Sequence, residues 1–151
     1  MTIRVATLAD VAGVASLVKR YWEFEPLSGF DLPRIEGLLV GLFESPERGA
    51  CWVAEEDGTL RGYLLAVFMF SLEHGGMMAE IDELFVAPGM RSRGLGGLLL
   101  LHAERELAQR GLVRLQLQLG VDNHRGRRFY EGRGFRGRAG FELLDKPLHT
   151  D

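Results

Sequence analysis

The sequence predicts an α/β protein in which one mixed β-sheet carries helices on both faces. Segments with strand-like alternation and segments with helical periodicity follow one another in the order β-α-α-β-β-β-α-β-α-β along 151 residues. A chain of this length is typical of one domain with its own core, so residues 1–151 are predicted to form a single domain. Apolar residues make up 46% and charged residues 26% of the composition, as in ordinary globular proteins.

The first half of the chain predicts two helices and the antiparallel part of the sheet. Asp10 stands where it could cap the first helix. Asp57-Gly58 is a strong signal for a tight hairpin between two strands. The predicted ranges are 2–7 (strand), 10–22 (helix), 33–44 (helix), 50–55 (strand) and 60–72 (strand).

The second half predicts a parallel crossover, since a strand, a long helix and another strand follow one another. Leu95, Leu98 and Leu99 are expected on the buried side of that helix. Gly111 and Gly134 are typical stop signals for the two helices. The predicted ranges are 80–86 (strand), 94–110 (helix), 113–119 (strand), 123–133 (helix) and 135–144 (a last strand or hairpin).

Charge is unevenly distributed along the chain. Residues 1–89 contain 14 acidic and 6 basic residues, whereas residues 90–138 contain 11 arginines and 4 acidic residues. A basic segment suits a polyanionic ligand and an acidic one suits a cationic ligand; charges scattered over solvated faces are the alternative. The arginines surround glycine turns and match no nucleic-acid module, so no nucleic-acid partner is expected.

Composition also bears on the compartment and on metals. One cysteine, Cys51, excludes an internal disulfide framework and fits a reducing cytoplasm. No apolar run is long enough to span a bilayer, so a cytoplasmic protein without a membrane partner is expected. The four histidines show no metal-ligand spacing, so no metal site is expected.

The turn between the predicted strand 80–86 and the long helix is the strongest functional signal. The N–H groups of a first helical turn have no intrahelical partner, and the helix dipole adds positive charge there. Glycines allow a phosphate to approach the backbone, and arginines add full charges. We therefore predict a phosphate or pyrophosphate site in this turn, which comprises Arg91, Ser92, Arg93, Gly94, Leu95, Gly96 and Gly97.

Two familiar phosphate motifs do not match this turn. A Walker-type P-loop ends in Gly-Lys-Ser/Thr, whereas this turn continues Gly96-Gly97-Leu98. A Rossmann fingerprint needs a third glycine, and Leu99 stands in its place. A helix start with glycines for close packing, without any ligand, is the remaining alternative.

The spacing Arg91-x-x-Gly94-x-Gly96 resembles the R/Q-x-x-G-x-G/A signature of the GNAT superfamily of acetyltransferases. In this sequence the pattern follows a predicted strand that ends in Leu84-Phe85-Val86. The order of predicted elements also matches the GNAT fold along nearly the whole chain.

A second stretch carries the same resemblance. Residues 123–135 are similar to the N-x-x-A-x-x-F-Y-x-x-x-G-F stretch of GNAT enzymes, with Gly126 in place of the usual alanine. The resemblance implies that Asn123 lies near the cofactor and that Tyr130 protonates the leaving thiolate. Helix capping by Asn123 and core packing by the aromatic pair are the plain structural alternatives.

The resemblance implies acetyl-coenzyme A (acetyl-CoA) as cosubstrate, with direct attack of an amine on the thioester. A free backbone N–H near Phe85 or Val86 would hold the acetyl oxygen. Among Arg91, Arg93, Arg125 and Arg128, the sequence does not choose a partner for the 3′-phosphate. The implied cofactor-binding residues are Leu84, Phe85, Val86, Arg91, Ser92, Arg93, Gly94, Leu95, Gly96, Gly97, Asn123, Arg128 and Tyr130.

Three carboxylates on the predicted strand 80–86 could take the proton of the amine. Alternation places Glu80 and Asp82 on one face and Glu83 on the other, unless a bulge intervenes. Glu83 and Asp82 are favoured because they lie closest to the expected oxyanion position. Salt bridges to nearby arginines are their structural alternative.

The acceptor is predicted to be a small cationic amine. Glu23, Glu25 and Asp31 in the first loop would join the carboxylates of strand 80–86 to make a negative cleft. Aromatic residues 21, 22, 24 and 30 could form its wall or belong to the core. A protein N-terminus as acceptor, and a sensor that binds acyl-CoA without transferring it, remain alternatives; a homodimer is a further expectation.

Overall fold

The structure is a computed structural model that describes residues 1–149, without the side chain of Ser92. The chain divides after Gln118 into two compact units. The first unit holds the entire β-sheet and three α-helices, and the second holds one short helix and the C-terminal segment.

The sheet of the first unit has five strands in the spatial order of the chain. The first four pair antiparallel, and the fifth pairs parallel with the fourth. This confirms the predicted mixed sheet, with the crossover ending in a parallel strand. The strands are β1 (Thr2–Val5), β2 (Gly49–Glu56), β3 (Thr59–Ser71), β4 (Gly76–Val86) and β5 (Leu115–Leu117).

Helices cover both faces of this sheet. In α1 (Val11–Phe24), the Tyr21 ring contacts Phe85 of β4, and in α3 (Leu95–Gln109), Glu106 accepts a hydrogen bond from Trp52 of β2. On β3, Tyr63 pairs with Phe85 and the following residue, Leu64, pairs with Trp52. Successive residues of a strand point to opposite faces, so the two helix contacts lie on opposite faces of the sheet. The remaining helix of this unit is α2 (Leu32–Phe43).

The core lies where these helices meet the central strands. Its side chains are apolar or aromatic, as burial of apolar surface requires. The largest fully buried side chains are Trp52, Tyr63, Leu64, Leu95, Leu99, Leu100, Val14, Val53 and Cys51.

The β2–β3 hairpin forms at the predicted dipeptide. Asp57 and Gly58 both have positive φ, 51° and 75°, which is the backbone that a two-residue turn of this hand needs. Gly58 tolerates it because glycine has no Cβ, and aspartate is among the few other residues that do so readily.

Three expectations from the sequence are wrong. Asp10 makes no side-chain cap to α1; its carboxylate instead binds Arg4 and the Thr7 N–H, because the guanidinium is the stronger partner. Leu98 is half exposed, since Leu95, Leu99 and Leu100 form the buried side of α3. No strand forms over the described part of residues 135–144.

The second unit contains α4 (His124–Glu131), followed by turns. From Phe135 to His149 the described chain has neither helix nor strand. This segment has glycines at 137 and 140 and no β-branched residue, so it lacks the composition that strands favour.

Asp31 gives the first testable prediction, because its carboxylate caps α2 through the backbone N–H of Arg34 at 3.0 Å. Asp31→Ala should lower the free energy of unfolding by about 1 kcal/mol, as loss of an N-cap does. Asp31→Asn keeps an acceptor and should lower it much less. Urea denaturation measures both, and equal losses in the two variants would contradict the cap.

Candidate active site

Strand β4 carries a β-bulge at Asp82. Leu65 of β3 lies opposite Glu83 and Ala66 lies opposite Ile81, so Asp82 is the additional residue. The bulge shifts the alternation by one. Glu83 therefore projects on the α1 face, where regular alternation would have placed it on the opposite face with Ile81.

The backbone of β4 beyond the bulge is only partly paired. Strand β5 pairs with β4 at residues 79–81 and no further. The Ala87 N–H bonds to Arg61 on the β3 side, so by alternation Leu84 and Val86 direct their N–H and C=O groups away from β3. Of the two residues expected to supply an oxyanion donor, Val86 has this orientation, and Phe85 does not.

Glu83 is held by two donors from different elements. Its Oε1 accepts a hydrogen bond from the Tyr63 hydroxyl of β3 at 2.7 Å, and its Oε2 accepts one from the Trp22 indole of α1 at 2.8 Å. Burial raises the pKa of this carboxyl, the charge of Asp82 adds to the rise, and the two hydrogen bonds oppose it. A half-buried carboxylate with raised proton affinity fits the role of a general base.

The other two carboxylates of β4 differ in their surroundings. Glu80 accepts a hydrogen bond from the Gln116 amide of β5 at 2.9 Å. Burial raises the pKa of Asp82, and the charge of Glu80 adds to the rise. The structural alternative for these carboxylates, salt bridges to arginines, is not observed among the described residues.

The start of α3 has the geometry of an anion site. Gly94 precedes the helix in the left-handed region, with φ 73°, and no described side chain caps the helix. The first intrahelical bond runs from the Leu98 N–H to the Gly94 carbonyl, so the N–H groups of residues 95–97 lack an intrahelical acceptor. Such a turn presents the backbone donors that bind a phosphate or pyrophosphate.

Two arginines of this turn already have protein partners. The Arg91 guanidinium lies 4.6 Å from the centre of the Phe24 ring and 5.4 Å from that of Phe85, and its Nε donates to the Val86 carbonyl. Arg93 forms a salt bridge with Glu56 at 3.2 Å. The side chain of Ser92, another predicted ligand, lies outside the described residues.

In the second unit, Asn123 caps α4 by accepting a hydrogen bond from the Gly126 N–H at 2.9 Å. A Cβ at Gly126 would lie 2.6 Å from the Asn123 amide nitrogen. Glycine in place of the alanine usual in the motif thus gives the Asn123 side chain room to fold over the first turn. The Arg128 side chain, another predicted ligand, is exposed.

Tyr130 is a half-buried phenol in an aromatic cluster. Its ring centre lies 5.0 Å from that of Phe129 and 5.4 Å from that of Phe135. Burial raises its pKa to about 12. The hydroxyl therefore carries its proton throughout the neutral range, as a proton donor must.

Sequence reasoning missed Tyr63 and the pairing of Trp22 with Glu83. The available signal was a tyrosine in the middle of an apolar central strand, since a buried phenol usually has a hydrogen-bond partner. The register that identifies the partner depends on the bulge, which the sequence alone did not locate.

The described residues lack two further features, a metal-binding cluster and a membrane-spanning helix. They contain no group of three or more His, Cys, Asp or Glu side chains that could hold a metal ion. None of the described helices is both long and apolar enough to cross a membrane.

Comparison with known proteins places this arrangement in a family. Residues 11–135 match the model of the acetyltransferase (GNAT) family. An uncharacterised N-acetyltransferase of Bacillus subtilis is 33% identical over 141 residues, which is 93% of each chain. An aminoalkylphosphonate N-acetyltransferase of Salmonella typhimurium is 32% identical over 56% of this chain and 54% of its own.

A solved structure agrees with the fold. A protein of Clostridium acetobutylicum, described as a predicted acetyltransferase with acetyl-CoA, superposes with a TM-score of 0.81 over 95% of both chains at 19% identity. The family match over most of the chain and the near full-length relative decide the assignment. The chain belongs to the GNAT family and is an N-acetyltransferase that uses acetyl-CoA.

Proposed function

We propose that this enzyme moves the acetyl group directly onto a small primary amine, with Glu83 as general base. The observation that carries the proposal is the position of Glu83, a carboxylate turned onto the α1 face by the bulge and adjacent in sequence to Leu84, whose N–H points away from β3 beyond the part of β4 that β5 pairs. An ammonium group must lose a proton before it can attack, and a carboxylate with raised pKa is suited to accept it near neutral pH.

The remaining roles are proposed for backbone N–H groups of β4, the start of α3 and Tyr130. Acetyl-CoA supplies an acetyl group activated as a thioester. The N–H groups of Leu84 and Val86 are proposed to donate to the acetyl oxygen as negative charge develops. The first turn of α3, at Gly96 and Gly97, is proposed to hold the pyrophosphate, and Tyr130 is proposed to protonate the thiolate.

We propose that residues 1–151 act as one GNAT domain. The family match at residues 11–135 crosses the boundary after Gln118, so both compact units belong to the same family pattern. The parallel strand β5 ends just before that boundary, and the second motif begins with Asn123 shortly after it.

The proposed acceptor is a small cationic amine. Glu83 and Asp82 add negative charge at β4, and Glu23 and Glu25 are exposed around the end of α1. Asp31 and Glu80 already accept hydrogen bonds, as a helix cap and from Gln116. Because these donors are neutral, both carboxylates keep their negative charge and still add to the expected negative cleft.

A rate screen over primary amines tests this function. Diamines, aminoglycosides, amino acids, short peptides and an aminoalkylphosphonate are compared by thiol release at two salt concentrations. A cationic acceptor held by carboxylates should show a KM that rises with salt, because salt screens exposed charges. A best acceptor that is anionic, or a KM without salt response, would contradict the acceptor class.

The same assay separates an enzyme from an acyl-CoA sensor. An enzyme releases thiol in proportion to acetylated amine, whereas a sensor binds acetyl-CoA without releasing it. Ligand at a hundredfold excess over its Kd should stabilise the fold by about 2.7 kcal/mol in either case. Stabilisation without turnover across the whole panel would favour the sensor.

A further inference from the structure

We propose that Trp22 and Tyr63 are positioning residues that hold the two oxygens of Glu83, so that this carboxylate stays ionised and oriented toward the amine. The inference rests on the proposed function, because it takes Glu83 as the base. It adds two residues that neither GNAT-like motif in the sequence contains.

The geometry fixes the carboxylate from two sides. Trp22 donates to Oε2 from α1 and Tyr63 donates to Oε1 from β3, at 2.8 and 2.7 Å. Each oxygen accepts one hydrogen bond through one lone pair and has a second lone pair that can accept a proton. The plane of the carboxylate is therefore set while its capacity to accept a proton remains.

The two donors are themselves held by aromatic contacts. The Tyr63 side chain is fully buried, and its ring centre lies 6.4 Å from that of Phe85. The Trp22 ring makes an edge contact with Phe30 at 6.0 Å. Two donors anchored by neighbouring rings lose little further freedom when they bind Glu83, which makes them effective in positioning it.

Electrostatics gives the pair a second role. Burial alone would raise the pKa of Glu83 and leave more of it protonated at neutral pH, where it could not act as a base. The bonds from Tyr63 and Trp22 favour the ionised form and limit this rise. Tyr63 remains a donor throughout, because burial raises the pKa of its own phenol far above neutrality.

Other groups around Glu83 do not replace these donors. Asp82 on the same strand adds negative charge, which raises the pKa of Glu83. Cys51 on β2 is a neutral thiol, since burial raises its pKa to about 12. Tyr21 of α1 and Arg91 both contact the ring of Phe85, which lies two residues after Glu83 on β4.

The fold supplies a matched control on the opposite face of the sheet. Trp52 donates its indole N–H to Glu106 at 2.7 Å, a bond of the same kind as the Trp22–Glu83 bond at 2.8 Å. Trp22→Phe and Trp52→Phe thus remove the same chemical group, and only the first removes it from Glu83.

The experiment measures the Glu83 carboxyl directly. The protein is labelled with ¹³C at the glutamate carboxyl groups and titrated by NMR. The Glu83 resonance is assigned as the one that is missing from the spectrum of Glu83→Gln. We expect Trp22→Phe to raise its pKa by about one unit, the size expected for one lost bond to a charged group. Trp52→Phe should leave the Glu83 pKa unchanged.

Tyr63→Phe provides an independent second variant, which keeps the test valid if Trp22→Phe does not fold. It should also raise the Glu83 pKa. No change of this pKa in a folded variant of either donor, or an equal change in Trp52→Phe, would overturn the proposal.

The pH dependence of kcat/KM separates this proposal from the proposed function. A base acts when deprotonated, so activity with the best amine of the screen should rise through the pKa of Glu83. In Trp22→Phe and Tyr63→Phe this limb should move to higher pH together with the carboxyl resonance. If the pKa from the Glu83 resonance rises in a variant and the rising limb of its kcat/KM profile does not move, Glu83 is not the base. Trp22 and Tyr63 would then have no catalytic role through it.

Discussion

Gly96→Asp should abolish acetyl-CoA binding while the protein stays folded. The substitution puts bulk and a negative charge at the first turn of α3, where free N–H groups are proposed to hold the pyrophosphate. Like charges brought together at a binding site cost several kcal/mol, so affinity should fall more than about 100-fold. Isothermal titration with acetyl-CoA measures the loss.

Folding should survive because an acidic side chain is favourable in the first turn of a helix. Gly37→Asp in α2 is a matched control, since Gly37 is exposed, helical and has open space where a Cβ would stand. It should leave affinity for acetyl-CoA unchanged. Unaltered affinity in Gly96→Asp would remove the pyrophosphate role of this turn.

The fold was predictable from local patterns because most of its elements carry their own start and stop signals. Asp57-Gly58 specifies the hairpin backbone, and glycine follows α3 at position 111 with φ 86°. The parallel crossover followed from the order of strand, helix and strand alone. These features depend on a few neighbouring residues, so the sequence contains them directly.

Predictions about individual side chains failed where a distant partner decided the outcome. Asp10 looked like a helix cap, but Arg4 and Glu55 form an ion cluster that takes its carboxylate. Leu98 matched the apolar period of α3, but the sheet covers only one side of that helix. Neither competing contact can be recognised before the strands are brought together.

The candidate site was predictable in its motifs and not in its geometry. The turn at residues 91–97 was identified from spacing, because an anion site at a helix start is a local property. The orientation of Glu83 depends on one additional residue in β4, and its two donors come from α1 and β3. The sequence allowed for a bulge, but only the register of the sheet locates it at Asp82.

Arg91 illustrates how a motif residue can acquire an additional contact. Its spacing to Gly94 and Gly96 marks it as part of the phosphate turn. Its guanidinium nevertheless stacks on Phe24 and Phe85 and binds the Val86 carbonyl. The side chain thus joins the end of α1 to β4, an arrangement that depends on which aromatic residues the fold brings beside it.

Tyr130→Phe should lower kcat by roughly 10²–10⁴-fold, the range for loss of a general acid. The aromatic ring is kept, so its contacts with Phe129 and Phe135 should hold the local structure. Thermal stability and affinity for acetyl-CoA should therefore change little. Pre-steady-state thiol release at saturating amine measures the chemical step.

The pH dependence offers a second measure of the same role. A phenol with a pKa of about 12 donates its proton over the whole neutral range and loses it only in strong alkali. The wild-type rate should therefore show no fall caused by Tyr130 up to about pH 10, which is about two units below that pKa. Removing the donor makes expulsion of the thiolate rely on water, so the variant should be slow at every pH in this range. A variant as fast as the wild type would mean that water already protonates the thiolate and that Tyr130 only packs.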